Sequence, residues 1–201
     1  FLDSSPNPIL IKNLDFSLSE SEKKILDRET KEIVEKLKKL LKSKKIKADV
    51  FVGGSFGKGT LDKSEFYDID IFVRFWRKTE NISEKLEKIF ISLGEKFEKV
   101  HGSRDYFRIR RGNVEYEFIP VLKIKQAKEA ENVTDLSYFH VNFVKRSASR
   151  KILKEILIAK KFLKAARVYG AESYINGFSG YAVECLIIYF KSFERMLKEL
   201  V

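Results

Sequence analysis

The stretch GGSFGKGTLDKSEFYDIDIFVRF, residues 53–75, decides the fold. Its last part, Asp68 to Phe75, alternates polar and apolar before running into aromatics, the pattern of a strand with one face on a core. The strand period of two puts Asp68 and Asp70 on one face while Ile69 and Ile71 enter the core. Two carboxylates so placed can bridge Mg²⁺, although a D-x-D strand taken alone is more often a solvated face paired with lysines. Thirteen residues before Asp68 stands Ser55, preceded by Gly53, Gly54 and a short apolar strand, Val50 to Val52. Glycines there let backbone NH groups approach a phosphate without a Cβ in the way, and a hydroxyl at a helix start adds a donor where the dipole favours anions. Lys58 and Thr60 add a charge and a second hydroxyl. A lone GGS is a tight turn more often than not; followed by D-x-D at this spacing it is far more specific.

Working outward, Phe1 to Ser17 reads as irregular, and Ser19 with Glu22 forms a capping-box pattern opening a long helix with Ile25, Ile33, Leu37, Leu40 and Leu41 on its apolar face. A basic run from Lys42 to Lys47 follows; it could face RNA phosphates but reads more simply as solvated. Ser55 to Thr60 is a loop or short helix. A second helix fits Ile82 to Phe97, and Tyr106–Arg111 with Val114–Val121 forms a hairpin around Gly112 and Asn113. Beyond about Lys145 the pattern is helical, through Arg150 to Val168, a break at Gly170, and Tyr181 to Val201. The expectation is an α+β fold, a mixed sheet flanked by helices and then a helical segment.

A third carboxylate should come from a neighbouring strand. Glu115 and Glu117 in VEYEFIP share one face, and periodicity cannot choose between them. Forty Lys plus Arg against 29 Asp plus Glu leave a net charge of +11, which favours a polyanionic partner such as nucleic acid. The single cysteine, Cys185, reads as a core residue, which excludes a disulfide or cysteine-rich zinc framework and suits a reducing interior. No apolar stretch approaches the roughly 18 residues that span a bilayer, and no signal region opens the chain, so no membrane partner and a cytoplasmic setting are expected. The first residue is Phe1, the only methionine is Met196, and Val201 falls inside a patterned helix, so a piece of a longer protein is expected. Phe190, Phe193, Leu197 and Val201 form an apolar stripe that further chain or a second copy, giving a homodimer, would cover.

GGSFGKGTL, DIDIF and VEYEFIP together resemble the polymerase-β-like nucleotidyltransferase superfamily. KKFLKAARVYGAE (160–172), GFSGYAVECLIIYFKSFE (177–194) and TDLSYFH (134–140) resemble the archaeal, class I CCA-adding tRNA nucleotidyltransferases, over a span from about Ile33 to Phe193. The resemblance implies a catalytic head at 1–140 and the start of a helical neck at 141–201, with nucleotide bound where the two meet. It implies two Mg²⁺ ions on Asp68, Asp70 and Glu117, this last where the family usually has Asp. It implies nucleotide contacts from Gly54, Ser55, Lys58 (usually Arg in the family), His140, Lys160 and Tyr169. Substrates would be ATP, CTP and a tRNA 3′ end, which receives C, C and A with release of pyrophosphate. The rival expectations are an oligoadenylate synthetase-like transferase, which shares the GGS and DID motifs, and a non-catalytic RNA-binding relative. From the residues themselves, Lys160 is unexpected on the stripe of Leu153, Ile156, Leu157 and Leu163, either reaching for a triphosphate or snorkelling. His140 and Tyr169 could equally be structural, and Ser179 in GFSGY reads as a helix cap.

Overall fold

The computed structural model describes residues 15–76, 79–171 and 174–200; most of the N-terminal irregular segment and Val201 lie outside them. The chain divides into two compact units. One consists of Ser19–Gly57 and Ser64–Val141; the other joins the described residues up to Leu18, Lys58–Lys63 and the chain from Asn142 on.

In the first unit, helix α1 (Glu20–Ser43) opens with the expected capping box, Glu22 N donating to Ser19 Oγ at 3.2 Å and Ser19 N to Glu22 Oε2 at 2.9 Å. Its buried stripe is Leu26, Thr30, Ile33, Val34, Leu37 and Leu41, whereas Ile25 is 48% exposed because it sits one helical step away from Leu26. Strand β1 (Ala48–Val52) leads into the short helix α2 (Gly54–Lys58), then β2 (Tyr67–Trp76). Helix α3 spans Ile82–Leu93, shorter than expected, because Gly94 takes the left-handed conformation at φ 65° and ends it. Phe97 therefore lies off the helix, leading into β3 (Glu98–Val100), and it packs edge-on to Phe107 at 5.7 Å. β4 (Tyr106–Arg111) and β5 (Val114–Lys123) make the expected hairpin, with Gly112 at φ 57° in the turn.

The sheet order is β1-β2-β5-β4-β3, and the β2–β5 pair is parallel while every other neighbouring pair is antiparallel. Alternation sorts its residues. Ile69, Ile71, Phe107, Ile109, Tyr116 and Phe118 are buried, and Phe90 of α3 packs on Phe118 at 4.8 Å and on Phe107 at 5.5 Å. The acids lie on the alternate positions. Farther along that face Phe72, Ile119 and Val121 form a small cluster, with Phe51 stacked on Phe72 at 4.9 Å.

The second unit is built on α4 (Ser137–Ser147, whose last residues enter it), α5 (Arg150–Ala165), α6 (Gly180–Phe190) and α7 (Phe193–Leu200). Ser149 and Ser179 cap α5 and α6, accepting from Ile152 N and Ala182 N. The expected single helix from Tyr181 is two, because Lys191 at φ 67° breaks it and Glu155 Oε2 accepts from Phe193 N at 2.8 Å as the second begins. Phe193 is buried against Phe162 at 5.1 Å, and Phe190 and Leu197 pack on the same core, so this unit itself covers the described part of the apolar stripe. Cys185 is half-buried rather than in the core. Among the described residues no helix is long and apolar enough to cross a membrane.

Candidate active site

β2 presents Asp68, exposed, and Asp70, half-buried. Gly53 N donates to Asp70 O at 2.8 Å, tying the end of β1 to the middle of β2. Gly54, at φ 54°, then passes so close that a Cβ on it would lie 1.6 Å from Asp70 Oδ2. Only glycine fits that approach, and Ser55 follows it in α2. The parallel register sets Glu115 beside Asp68 and Glu117 beside Asp70. Sequence periodicity left the two glutamates equivalent; the register distinguishes them, because only Glu117 neighbours the residue that Gly54 touches.

The pattern of β5 taken alone does not identify its partner on β4. Arg108 stands opposite Glu117, its Nη2 donating to Glu117 Oε1 at 3.0 Å, and Arg110 stands opposite Glu115, with Nη2 2.6 Å from Glu115 Oε2. The signal was the alternation of RIRR against VEYE across the hairpin. Burial raises the Glu117 carboxyl above its ordinary value, repulsion from Asp68 and Glu115 adds to this, and Arg108 opposes it. Among the described residues no three His, Cys, Asp or Glu side chains are gathered into a ready metal cage.

His140 is half-buried in α4. The segment before it is anchored by buried Asp135, which accepts from Leu122 N at 2.8 Å and pairs with Arg104 at 2.5 Å. Tyr138 in the same helix lies under the Arg74 guanidinium, 3.8 Å from its ring centre.

In the helical unit Lys160 neither snorkels nor is exposed. It is buried and donates to Thr60 O at 3.3 Å, Thr60 Oγ1 at 2.9 Å and Glu184 Oε1 at 2.7 Å. Lys58 pairs with the other oxygen of Glu184 at 2.6 Å. Burial would raise the Glu184 carboxyl, but Lys160 and Lys58 outweigh it and hold it below its ordinary value. Burial lowers Lys160 despite the raising pull of Glu184, as expected when two ammoniums share one carboxylate. Nearby Asp62 pairs with Lys161 at 2.8 Å and Lys164 at 3.0 Å, so this cluster sets four ammoniums against two carboxylates. Glu184 was not anticipated, although a glutamate inside the apolar run GYAVECLIIYF and a lysine inside an apolar helix stripe invite pairing. Tyr169 bridges to Phe178, and a Cβ at Gly180 would fall 2.6 Å from its hydroxyl, so the GFSGY turn holds the ring.

The sequence matches the family described as nucleotidyltransferase domain over residues 31–169, and that described as tRNA nucleotidyltransferase, second domain, over residues 154–201. It is 44% identical over 153 residues to the CCA-adding enzyme of Nanoarchaeum equitans, covering 75% of this chain and 38% of that protein. It is 34% identical over 176 residues to that of Sulfolobus acidocaldarius, covering 86% and 42%. The chain thus spans about two fifths of the length of these curated relatives. Among solved structures, a cytoplasmic RNA terminal U-transferase superposes with TM-score 0.63 at 16% identity (91% of this chain, 51% of that). E. coli MS115-1 CdnC with ATP gives 0.65 at 16% (92% and 64%); at such identities these share the fold alone, a polymerase-β-like nucleotidyltransferase fold. Divalent-metal chemistry is general to such transferases.

Proposed function

The chain belongs to the nucleotidyltransferase domain family, and on that premise we propose that it is the catalytic portion of an archaeal-type CCA-adding enzyme. The tRNA 3′-hydroxyl oxygen bonds to the α-phosphorus of CTP or ATP, the bond from that phosphorus to the α–β bridging oxygen breaks, and pyrophosphate leaves as the hydroxyl proton is lost.

The observation that carries this reading is the carboxylate row on β2 and β5 with the bare Gly54 backbone against Asp70. Its donors are all oxygens, which suits a hard divalent cation, Mg²⁺ in this reading. The side chain that Gly54 lacks leaves Asp70 Oδ2 its space. Asp68, Asp70 and Glu117 would hold the ions, which when bound supply charge that activates the attacking hydroxyl and stabilises the leaving oxygen. In the first unit Gly54, Ser55 and His140 would offer backbone, hydroxyl and imidazole groups to a nucleotide; in the second, Lys58, Lys160 and Tyr169 are the residues that the family resemblance adds. The unit of Ser19–Gly57 and Ser64–Val141 would act as the head and the helical unit as the start of the neck, with tRNA, ATP and CTP as partners in a cytoplasmic setting.

The test is transfer of radiolabel from CTP or ATP to tRNA lacking its 3′ end, using this chain beside a longer one. The expected outcome is Mg²⁺-dependent incorporation lost in Asp70→Asn, with ordered C, C and A addition stronger in the longer chain. Incorporation that survives Asp70→Asn refutes the metal reading, and repeated addition of one nucleotide favours another template-independent transferase.

A further inference from the structure

The acid face carries its own cation. Across β2, β5 and β4 the register aligns Asp70, Glu117 and Arg108 in one row and Asp68, Glu115 and Arg110 in the next. Each glutamate therefore has an aspartate on its parallel side and an arginine on its antiparallel side, with strands about 4.8 Å apart. The two arginines are not equivalent. Arg110 is 71% exposed in its side chain and, among the described residues, pairs with Glu115 alone. Arg108 is 25% exposed and gathers three carboxylates: Glu117 at 3.0 Å, Glu115 at 2.7 Å and Glu98 at 3.6 Å. Its Nε, buried and 2.7 Å from Glu115 Oε1, makes no hydrogen bond, so that contact is ionic only. Arg108 thus ties Glu117 Oε1 to β4, the strand on the opposite side of β5 from the aspartates of β2. The extra methylene of a glutamate gives position 117 reach to either neighbour.

We propose that Arg108 is a positioning residue that stands in for the cation at Glu117, so that a divalent ion binding to Asp68, Asp70 and Glu117 must exchange places with its guanidinium. This rests on the metal reading above. It makes the third ligand conditional: with no ion Arg108 neutralises Glu117, whereas a bound ion would supply that charge and leave Arg108 to Glu115 and Glu98.

The test is Mn²⁺ binding to the whole chain without nucleotide, read from the electron paramagnetic resonance of free Mn²⁺. Arg108→Gln should tighten binding by roughly threefold or more, as for coupled charges in contact. Arg110→Gln removes the same charge from the same face of β4 and should change affinity less than about twofold, since an exposed pair is weakly coupled. Adding Glu117→Gln to Arg108→Gln should erase the gain. Arg108→Lys, which keeps a cation but cannot fork between carboxylates, should fall in between and guards against misfolding of the neutral variant. Equal effects of Arg108→Gln and Arg110→Gln, a gain that persists without Glu117, or no Mn²⁺ binding by any variant overturns the proposal. Asp70→Asn separates the two levels: binding that survives it overturns the metal reading, whereas binding that it abolishes, with Arg108→Gln and Arg110→Gln alike, overturns only the role of Arg108.

Discussion

Replacing Glu184 by glutamine tests the buried cluster that ties Lys58 and Lys160 together. The carboxylate is fully buried, its partners' side chains are 2% and 10% exposed, and both pairs are within 2.7 Å, so water screens little. Removing one member of a buried ion pair costs about 3–5 kcal/mol, because the remaining charge is left unpaired in the interior. Glutamine keeps one carbonyl acceptor, which places the expectation near the lower end, about 3 kcal/mol. For a chain of this size that is a fall in Tm of roughly 6–12 °C. Urea unfolding at neutral pH measures it directly. The pH dependence supplies a second, independent sign. Lys160 already has a folded value below its ordinary one, and loss of Glu184 lowers it further. Between that folded value and the unfolded value of about 10.4, the unfolded chain binds more protons, so stability rises with pH through this window. The deficit of Glu184→Gln should therefore narrow as pH rises from neutral toward about 10. Combining it with Lys160→Met should destabilise less than the sum of the two single changes. A deficit below about 1 kcal/mol, or one that widens with pH, would refute the account of Glu184 as the shared counter-charge.

Gly54→Ala should abolish label transfer and Mn²⁺ binding alike, since the added methyl meets Asp70 Oδ2 and the backbone is left-handed; activity near the parent level would show that the loop can move aside. Glu117→Gln should reduce transfer far more than Glu115→Gln, because only Glu117 neighbours Asp70 in the register, and equal losses in a side-by-side assay would leave the third ligand unassigned. RNA affinity should fall with salt at a slope of roughly −3 to −4 on logarithmic axes for about four phosphate contacts, a value that filter binding across a salt series checks.

The sequence by itself determined those features whose information spans a few residues. The Ser19–Glu22 box, the two-residue period that puts Asp68 with Asp70, and the Gly112 turn each depend on local geometry that tertiary contacts had no reason to override. β3 is only three residues long, too short for a period to register, and the break at Lys191 carries no glycine or proline to announce it. The tertiary structure decided everything that depends on which strands and helices become neighbours. It paired Lys58 with a glutamate 126 positions away, buried Lys160 where its stripe suggested a cleft or a surface, and set Arg108 against Glu117. Periodicity gives the face a side chain occupies, but it is silent on what lies across from that face. Charge pairing inside a fold falls off over a few ångströms, so the partner is known only once the register brings the two groups together.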